Sequence, residues 1–204
     1  MSEDIDDKNQ RHKQRMQRKK EIVDQKIAAA TTDRGVIVLI TGNGKGKSSS
    51  GFGMVMRSLG HGYKTAVVQF IKGAMDCGEH FFLEAKCPEL EFHVMGTGFT
   101  WETQDKSTDI AAAQRLWKEA KRLLADDSVH LVLLDEMTYM LKYHYLDADE
   151  VIAAIRKRPP HQHVIITGRG ATPELKEIAD TLSVIEDVKH AFRAGIKAQK
   201  GVEW

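Results

Sequence analysis

The sequence is poor in the residues that define several classes of protein. It contains only two cysteines, Cys77 and Cys87, too few for the disulfide framework of a small secreted domain. Such sparse use of cysteine is typical of a reducing compartment, where thiols stay free. No apolar run approaches the ~18 residues of a membrane span, and no apolar segment follows the acidic first residues, as it would in a secretory signal. We therefore expect a cytoplasmic protein that makes no membrane contact.

The chain also lacks an excess of charge of either sign. Its 30 Lys and Arg residues are balanced by 29 Asp and Glu residues, which leaves a formal net charge of +1. Proteins that bind nucleic acids non-specifically usually carry a strongly basic balance, so we expect no nucleic-acid partner. With 204 residues, 42% of them hydrophobic, the chain is long enough to bury a full core without disulfides or a structural metal.

Residues 1–34 differ from the rest in their charge pattern. Four acids come first, and the segment 8–20 that follows is basic and contains no acid. Segments like this are usually solvated arms. Apolar residues in the second half nevertheless recur at helical spacing, namely Ile22, Val23, Ile27 and Ala30. We predict an N-terminal arm whose helix orders on docking, either to its own domain or to a partner subunit.

From residue 35 onward, short β-branched apolar runs alternate with helical patterns. The apolar runs are typical of strands buried on both faces and lie at 36–40, 66–71, 131–134 and 164–166, with weaker candidates at 91–95 and 182–185. Helical patterns occupy 110–124 and 151–155, and Thr172-Pro173 is typical of a helix start. We predict one α/β domain over residues 35–204, with a mostly parallel sheet of about six strands covered by helices on both faces.

The first buried run leads directly into the glycine-rich stretch TGNGKGKS. Gly46, Lys47 and Ser48 match the end of the P-loop pattern G-x-x-x-x-G-K-[ST], while Thr41 stands at the position of its first glycine. Backbone N–H groups of such a loop, and the N-terminus of the helix that follows, face phosphate oxygens. We predict that Lys47 neutralises phosphate charge and that the Ser48 hydroxyl ligates Mg²⁺; the alternative is a glycine-rich turn with a surface lysine. The predicted nucleotide-binding residues of the loop are Thr41, Gly42, Asn43, Gly44, Lys45, Gly46, Lys47 and Ser48.

Polar residues follow two more of the predicted strands. Asp135 and Glu136 end the run 131–134, where a Walker-B carboxylate helps to hold Mg²⁺. Arg169 lies between two glycines after the run 164–166, at the edge of the sheet where ligands bind, and a guanidinium there can reach a phosphate. The alternatives are an N-cap acid for the next helix and an ordinary turn with a solvent-exposed arginine.

Phe99 and Trp101 lie in a polar loop flanked by glycines, where they fit neither a strand nor a helix period. Aromatic side chains in loops often fold back as plugs of the core. The alternative is a flat apolar platform for a ligand.

Six stretches, in this order, resemble the P-loop type of the ATP:corrinoid adenosyltransferase family of cobalamin biosynthesis and salvage. They are TGNGKGKSSSGFG (41–53), GHGYKTAVVQFIKG (60–73), GTGFTWET (96–103), LLDEMTYM (133–140), HVIITGRG (163–170) and KHAFRAGIKAQKG (189–201). The likeness runs from residue 35 to the C-terminus, and the charged arm is also similar to the family's. One departure is Ser48, where relatives often carry threonine; both residues supply a metal-binding hydroxyl.

The resemblance implies a RecA-like P-loop fold and a reaction. The 5′-deoxyadenosyl group of ATP moves to the cobalt of a reduced corrinoid, and triphosphate leaves. Since Co(I) is the nucleophile, the protein need not provide one. Lys47 and Glu136 are the implied catalytic residues, because Lys47, the loop amides and Mg²⁺ or Mn²⁺ would stabilise the charge that gathers on the leaving group.

The resemblance also implies further site residues and partners. The family is homodimeric, its N-terminal arm reaches across the neighbouring subunit's site, and its electron donor is a reduced flavodoxin-like protein or free flavin. Aromatic residues against the lower face of the corrinoid displace the lower ligand of cobalt, which eases reduction of Co(II). The implied nucleotide-binding residues outside the motif are Ser49, Arg57, Gln69 and Arg169, and the implied corrinoid-binding residues are Met95, Gly98, Phe99 and Trp101.

Two other functions compete with this interpretation. A P-loop NTPase or a small-molecule kinase would have nearly the same fold and would attack the γ-phosphate, but it would leave the aromatic loop unexplained. A nucleotide sensor, or a nucleic-acid binder that uses the basic arm, is disfavoured by the net charge of +1 and by the acidic start of the arm.

Overall fold

A computed structural model describes residues 2–71, 77–96 and 106–203. The chain divides into two compact units, one that ends at Asp33 and one that begins at Arg34. The first unit contains helix α1, Ser2–Ala29. None of the helices in the described ranges has the length and hydropathy that a membrane crossing requires.

Helix α1 is longer than the predicted helix, because it also includes the acidic start and the basic run of the arm. Side-chain pairs one turn apart support it: Arg11 contacts the Asp7 carboxylate at 2.7 Å, and the Gln17 amide donates to Glu21 at 3.0 Å. Residues 7–29 are exposed along the whole helix. The apolar side chains of the predicted stripe are therefore exposed as well, including Ile22, Val23 and Ile27.

The second unit is built on a six-stranded sheet in the order β3-β2-β4-β5-β1-β6, and every pair of neighbouring strands is parallel. The strands are β1 Ile37–Thr41, β2 Thr65–Gln69, β3 Glu91–Val94, β4 Leu131–Asp135, β5 His163–Thr167 and β6 Thr181–Val184. All six lie where the sequence predicts strands. The predicted α/β fold with a parallel sheet is thus confirmed.

Helices connect the strands. In chain order they are α2 Lys47–Gly60, α3 Gly78–Lys86, α4 Lys106–Ala125, α5 Met137–Lys142, α6 Ala148–Arg156 and α7 Pro173–Ile178, followed by a 3₁₀ turn at Ala191–Ala194. The predicted start of α7 is confirmed, since Thr172 is its N-cap and Pro173 its first residue. The sequence pattern does not predict α3, because this helix buries only Leu83 and has no recurring apolar face.

Both faces of the sheet are covered, and alternate strand residues point into two hydrophobic layers. In β4, Val132 and Leu134 belong to a layer formed with α4, α5, α6 and α7. Leu131 and Leu133 belong to the opposite layer, formed with Phe52 of α2 and with α3. Burial on both faces explains why the four central strands β1, β2, β4 and β5 contain continuous apolar runs, whereas the outer strands β3 and β6 are more exposed.

The parallel arrangement determines where polar side chains gather. All six strands end at the same edge of the sheet, and the register places Gln69 opposite Asp135 in the neighbouring strands β2 and β4. Thr167 ends β5, which lies between β4 and β1. The loop after β1 therefore lies at the same edge as the acids after β4, where ligands bind in open α/β sheets.

Asp180 fastens the start of the edge strand β6 to the start of β1. Its carboxylate accepts hydrogen bonds from the Arg34 guanidinium at 2.9 Å and from the Ile37 backbone N–H at 2.8 Å. These two donors, Arg34 foremost, lower the pKa of Asp180 from 3.8 to about 2. The ionised carboxylate is therefore the form that the folded state favours.

We expect Asp180→Asn to lower the free energy of unfolding at neutral pH by about 1 kcal/mol, a modest value because the ion pair is partly exposed. Since the folded-state pKa is the lower one, this stabilisation is complete above the unfolded pKa of 3.8 and is lost as the pH falls to about 2. Urea unfolding of both proteins across this range measures the effect. A difference that stays constant with pH would contradict it.

Candidate functional site

The glycine-rich loop between β1 and α2 is held by the chain that follows β6. The Gly44 N–H donates to the Ile185 carbonyl at 2.8 Å, and the Ile185 N–H donates to the Thr41 carbonyl at 2.8 Å. A Cβ atom on Gly42 would lie 2.3 Å from the Ile185 oxygen, and one on Gly44 would lie 2.4 Å from the Glu186 oxygen. The glycine-rich loop thus lies so close to the backbone of residues 185–186 that only glycine fits at positions 42 and 44.

The Thr41 side chain ties this loop to the loop after β5. Thr41 is the last residue of β1 and is buried, and its hydroxyl lies 3.5 Å from the Ala171 N–H, in position to accept a hydrogen bond. A glycine at this position would lack that contact. The structure therefore gives a physical reason for threonine at the first position of the motif.

Lys47 begins α2 and is buried, with 6% of its surface exposed. Its ammonium group donates to the Gly44 carbonyl at 2.6 Å, so the side chain folds back over the loop. Burial lowers the pKa of Lys47 from its usual value, and the nearby Glu136 carboxylate opposes that shift. Lys47 is thus a cation held in a partly desolvated position, where its attraction for an anion is strengthened.

The two acids after β4 have different surroundings. Asp135 is 1% exposed, and its carboxylate accepts hydrogen bonds from the Gln69 amide at 2.7 Å and from the Thr167 hydroxyl at 2.6 Å. Glu136 lines a cavity next to the loop. Its backbone is left-handed, with φ of 58°, and its N–H donates to the Thr167 hydroxyl at 3.0 Å. A non-glycine residue adopts this conformation at a cost of ~1–2 kcal/mol, so the surrounding contacts must hold it there.

The loop after β5 places Arg169 on the same side of the sheet. Gly168 has φ of 134°, and a Cβ atom there would lie 2.1 Å from the Thr138 hydroxyl. That hydroxyl donates to the Arg169 carbonyl at 2.9 Å, which fixes the backbone of the loop. The Arg169 side chain is exposed, and its charge lowers the pKa of Lys47. Arg169 therefore adds positive charge in the neighbourhood of Lys47.

A cavity of about 600 Å³ opens between the glycine-rich loop, α3 and the end of the chain. Its lining combines polar and charged side chains with apolar ones, and α3 contributes both kinds. Within the lining, the Lys45 ammonium group contacts the Glu203 carboxylate at 2.9 Å. In the described part of the lining, the polar and charged side chains are Lys45, Lys47, Ser48, Ser49, Glu79, Glu136 and Glu203, the apolar ones are Phe52, Met56, Ile71, Phe82, Leu83 and Val202, and the glycines are Gly46, Gly78 and Gly201.

Several residues predicted for the site are not among those that line the described part of this cavity. Arg57 is exposed in the last turn of α2, about 15 Å along the helix from Lys47. Gln69 contacts Asp135, and Asn43 is exposed; neither lines the described part of the cavity. Met95 is 2% exposed in the core, where its N–H donates to the Gln69 carbonyl at 3.0 Å. The predicted corrinoid-binding residues Gly98, Phe99 and Trp101 lie outside the described residues.

The structure also shows site residues that the motifs do not reveal. Thr167 joins Asp135 to Glu136, and Thr138 fixes the backbone at Arg169. The signal for Thr167 is present in the sequence, as a hydroxyl directly after the apolar run 164–166. Phe82 and Glu203 carry no such signal, because only the folded chain brings α3 and the C-terminal segment to the loop.

Comparison with known proteins shows the family of the chain. Residues 33–204 match the model of the family described as "ATP:corrinoid adenosyltransferase BtuR/CobO/CobP". The chain belongs to this family. Residues 1–27 match a second model, described as "Cob(I)alamin adenosyltransferase N terminal". The two matches together cover nearly all of helix α1 and the whole of the unit that contains the sheet.

Individual members of the family are similar over nearly their whole length. A protein of Pseudomonas aeruginosa named "Corrinoid adenosyltransferase" is 59% identical, over 97% of this chain and 98% of its own. One with the same name from Escherichia coli is 52% identical, over 96% of this chain and 99% of its own. A third, from Salmonella typhimurium and named "Corrinoid adenosyltransferase CobA", is 50% identical over the same shares. The similarity that supports the family assignment therefore covers nearly the whole length of these relatives.

The shape of the loop predicts opposite effects of alanine at two glycines. Gly42→Ala should lower the free energy of unfolding by about 1–3 kcal/mol, because its methyl group meets the Ile185 carbonyl and its φ is +103°. Gly53→Ala, in α2, has nothing within 4 Å of the new methyl group and should raise that free energy by about 0.5–1 kcal/mol. Denaturant unfolding of the two variants checks this. Equal effects at the two positions would show that the loop is not constrained as described.

Proposed function

We propose that this protein transfers the 5′-deoxyadenosyl group of ATP to the Co(I) atom of a reduced corrinoid, and releases triphosphate, in cobalamin biosynthesis and salvage. The observation that carries the proposal is that Lys47, Ser48 and Glu136 line one cavity in a chain that belongs to the ATP:corrinoid adenosyltransferase family. The polar lining residues suit a triphosphate. The apolar lining residues suit the flat face of a nucleoside or a corrin ring.

Charge stabilisation is the main task that the reaction sets for the protein. Co(I) supplies the electron pair that attacks C5′ of the ribose, and the C5′–O bond breaks with its electrons going to the triphosphate. Lys47 is positioned to neutralise charge on that leaving group, and Arg169 carries a second cation to the same side. The N–H groups at the start of α2 add a dipole with its positive end toward the phosphates.

The donor set of the cavity fits a magnesium ion. Ser48 offers a hydroxyl and Glu136 a carboxylate, and both line the cavity beside Lys47. Mg²⁺ prefers hard oxygen ligands of this kind and is usually bound by one or two protein groups together with phosphates; Mn²⁺ accepts the same ligands. When bound, the ion would neutralise part of the triphosphate charge. Ser48 and Glu136 are therefore the residues that we propose to hold it.

The remaining parts of the proposal concern the corrinoid and the assembly. We propose that Met95, Gly98, Phe99 and Trp101 bind the corrinoid.

The arm, residues 1–34, would dock on the partner subunit of a homodimer, and its exposed apolar stripe supports a docking role. A reduced flavodoxin-like protein or free flavin would supply the electron that forms Co(I). The cytoplasm, where such donors and ATP are found, is the proposed location.

Product analysis tests the reaction. With Co(I) corrinoid, ATP and Mg²⁺, we expect inorganic triphosphate and a light-sensitive adenosylated corrinoid in equal amounts, because attack at C5′ releases all three phosphates joined. Phosphate chromatography and the visible spectrum of the corrinoid measure the two products. ADP formed in stoichiometric amounts without corrinoid would overturn the proposal in favour of an NTPase or a kinase.

Lys47→Ala should lower turnover by about a hundredfold or more, because it removes a cation that stabilises the leaving group. The fold should persist, since Lys47 contacts a loop carbonyl and not the hydrophobic core. Lys64→Ala is the matched control: Lys64 pairs with Asp126 at 3.2 Å before β2, at the opposite end of the sheet, and its loss should leave turnover unchanged. Near-normal turnover of folded Lys47→Ala protein would remove the P-loop lysine from the mechanism.

A further inference from the structure

A chain of hydrogen bonds crosses the ends of three neighbouring strands and ends at Glu136, which lines the cavity. The Gln69 amide of β2 donates to Asp135 of β4 at 2.7 Å, and the Thr167 hydroxyl of β5 donates to the other Asp135 oxygen at 2.6 Å. The same hydroxyl accepts the Glu136 N–H at 3.0 Å. Gln69, Asp135 and Thr167 are each no more than 1% exposed, so water does not compete for these bonds.

The direction of each bond is fixed by chemistry. A hydroxyl has one proton, and because the Thr167 oxygen accepts the Glu136 N–H, its own proton points to the Asp135 carboxylate. Asp135 therefore receives one donor on each oxygen, from two different strands. Neither Asp135 nor Thr167 is among the residues that line the described part of the cavity, whereas Glu136 is.

We propose that Thr167 is a positioning residue that aims the Glu136 carboxylate at the metal of the bound nucleotide, and that Asp135 holds Thr167 in place for this purpose. Glu136 adopts φ of 58°, which an isolated glutamate does not favour, and the Thr167 hydroxyl is the acceptor that holds its N–H in that turn. Gln69 of β2, the neighbour of β4 on the side opposite β5, holds the Asp135 carboxylate by a further hydrogen bond. The inference rests on the proposed function, because it takes Mg·ATP as the ligand.

This division separates the two acids that the motif presents as equivalent metal ligands. Under the proposal the Asp135 carboxylate is used by protein donors, and the Glu136 carboxylate is the one presented to the ion. The close packing at Gly168 agrees with this, since a Cβ atom there would lie 3.1 Å from a Glu136 carboxylate oxygen. The Glu136 side chain is thus confined on the side of β5 and extends toward the cavity.

The test compares Thr167→Val with Thr167→Ser. Valine keeps the shape of threonine and lacks the hydroxyl, whereas serine keeps the hydroxyl. Calorimetric titration of each full-length protein with ATP in EDTA, and then with Mg·ATP, gives two dissociation constants. Loss of a group that orients a metal ligand typically weakens metal binding about 10–100-fold. We therefore expect Thr167→Val to weaken Mg·ATP binding by at least about tenfold, to leave metal-free ATP binding nearly unchanged, and Thr167→Ser to restore the wild-type ratio.

Thr65→Val is the matched control for the loss of a buried hydroxyl. Thr65 is 2% exposed at the start of β2, and its hydroxyl bonds to the Ser58 hydroxyl at 2.9 Å, at the other edge of the sheet. This variant should lower thermal stability and leave the ratio of the two dissociation constants unchanged. A change in that ratio equal to the one in Thr167→Val would show a general loss of stability and would overturn the positioning role.

Asp135→Asn and Glu136→Gln provide a second test if Thr167→Val does not fold. In Asp135→Asn, the new amide oxygen can still accept the hydrogen bond of the Thr167 hydroxyl. The new amide nitrogen can donate to the Gln69 side-chain oxygen once the Gln69 amide has flipped, so the chain of bonds persists without the charge. We expect Glu136→Gln to lose more Mg·ATP affinity than Asp135→Asn. Equal losses would make Asp135 a direct ligand and overturn the proposal.

If the wild-type protein bound no nucleotide, the proposed function would be wrong as well. If it bound Mg·ATP and Thr167→Val bound Mg·ATP equally well, only the positioning role would be wrong.

Discussion

The site depends on one backbone contact, in which the chain after β6 holds the glycine-rich loop against the end of β1. The hydrogen bonds of Ile185 with Gly44 and with Thr41 give this loop a shape that it would not keep by itself. They leave no room for a side chain at Gly42 or Gly44. Because the loop is fixed, the start of α2 and the Lys47 side chain are held in one orientation. Preorganised donors of this kind do not need to rearrange when charge develops on a bound phosphate.

A second constraint is that all strands of the sheet are parallel. Parallel strands end at one edge, so polar residues that are far apart in the sequence become neighbours there. Gln69, Asp135 and Thr167 come from three strands and form one buried hydrogen-bonded chain. Fully satisfied networks of this kind are rigid, whereas the loss of one member leaves the others unpaired in a dry environment. The strand ends of the sheet thus help to hold Glu136 near Lys47.

The cavity above this edge joins two chemical environments. Lys47, Ser48 and Glu136 supply charge and hydrogen-bonding groups, and Phe52, Phe82 and Val202 supply apolar surface to the same lining. A phosphate ester of a flat, partly apolar molecule needs both. The pair of Lys45 with Glu203 brings the C-terminal segment to the glycine-rich loop, so residues far from the motif contribute to the walls of the cavity.

The sequence by itself determined the class of fold and the position of the glycine-rich motif after the first strand. Runs such as 131–134 and 164–166 are apolar throughout because both faces of the sheet are buried, so they predict strands without any knowledge of their neighbours. Gly46, Lys47 and Ser48 are adjacent in the chain, so their motif can be read directly. Only the tertiary structure decided which residues surround them. Thr167 lies at the site because β5 is the neighbour of β4, and Glu203 lies there because the C-terminal segment returns to the glycine-rich loop. Asp135 and Glu136 are adjacent in sequence but differ, because the Asp135 side chain is buried among the strand ends and the Glu136 side chain lines the cavity. Local patterns record burial and motif, whereas such contacts depend on strand order and on the direction of each side chain.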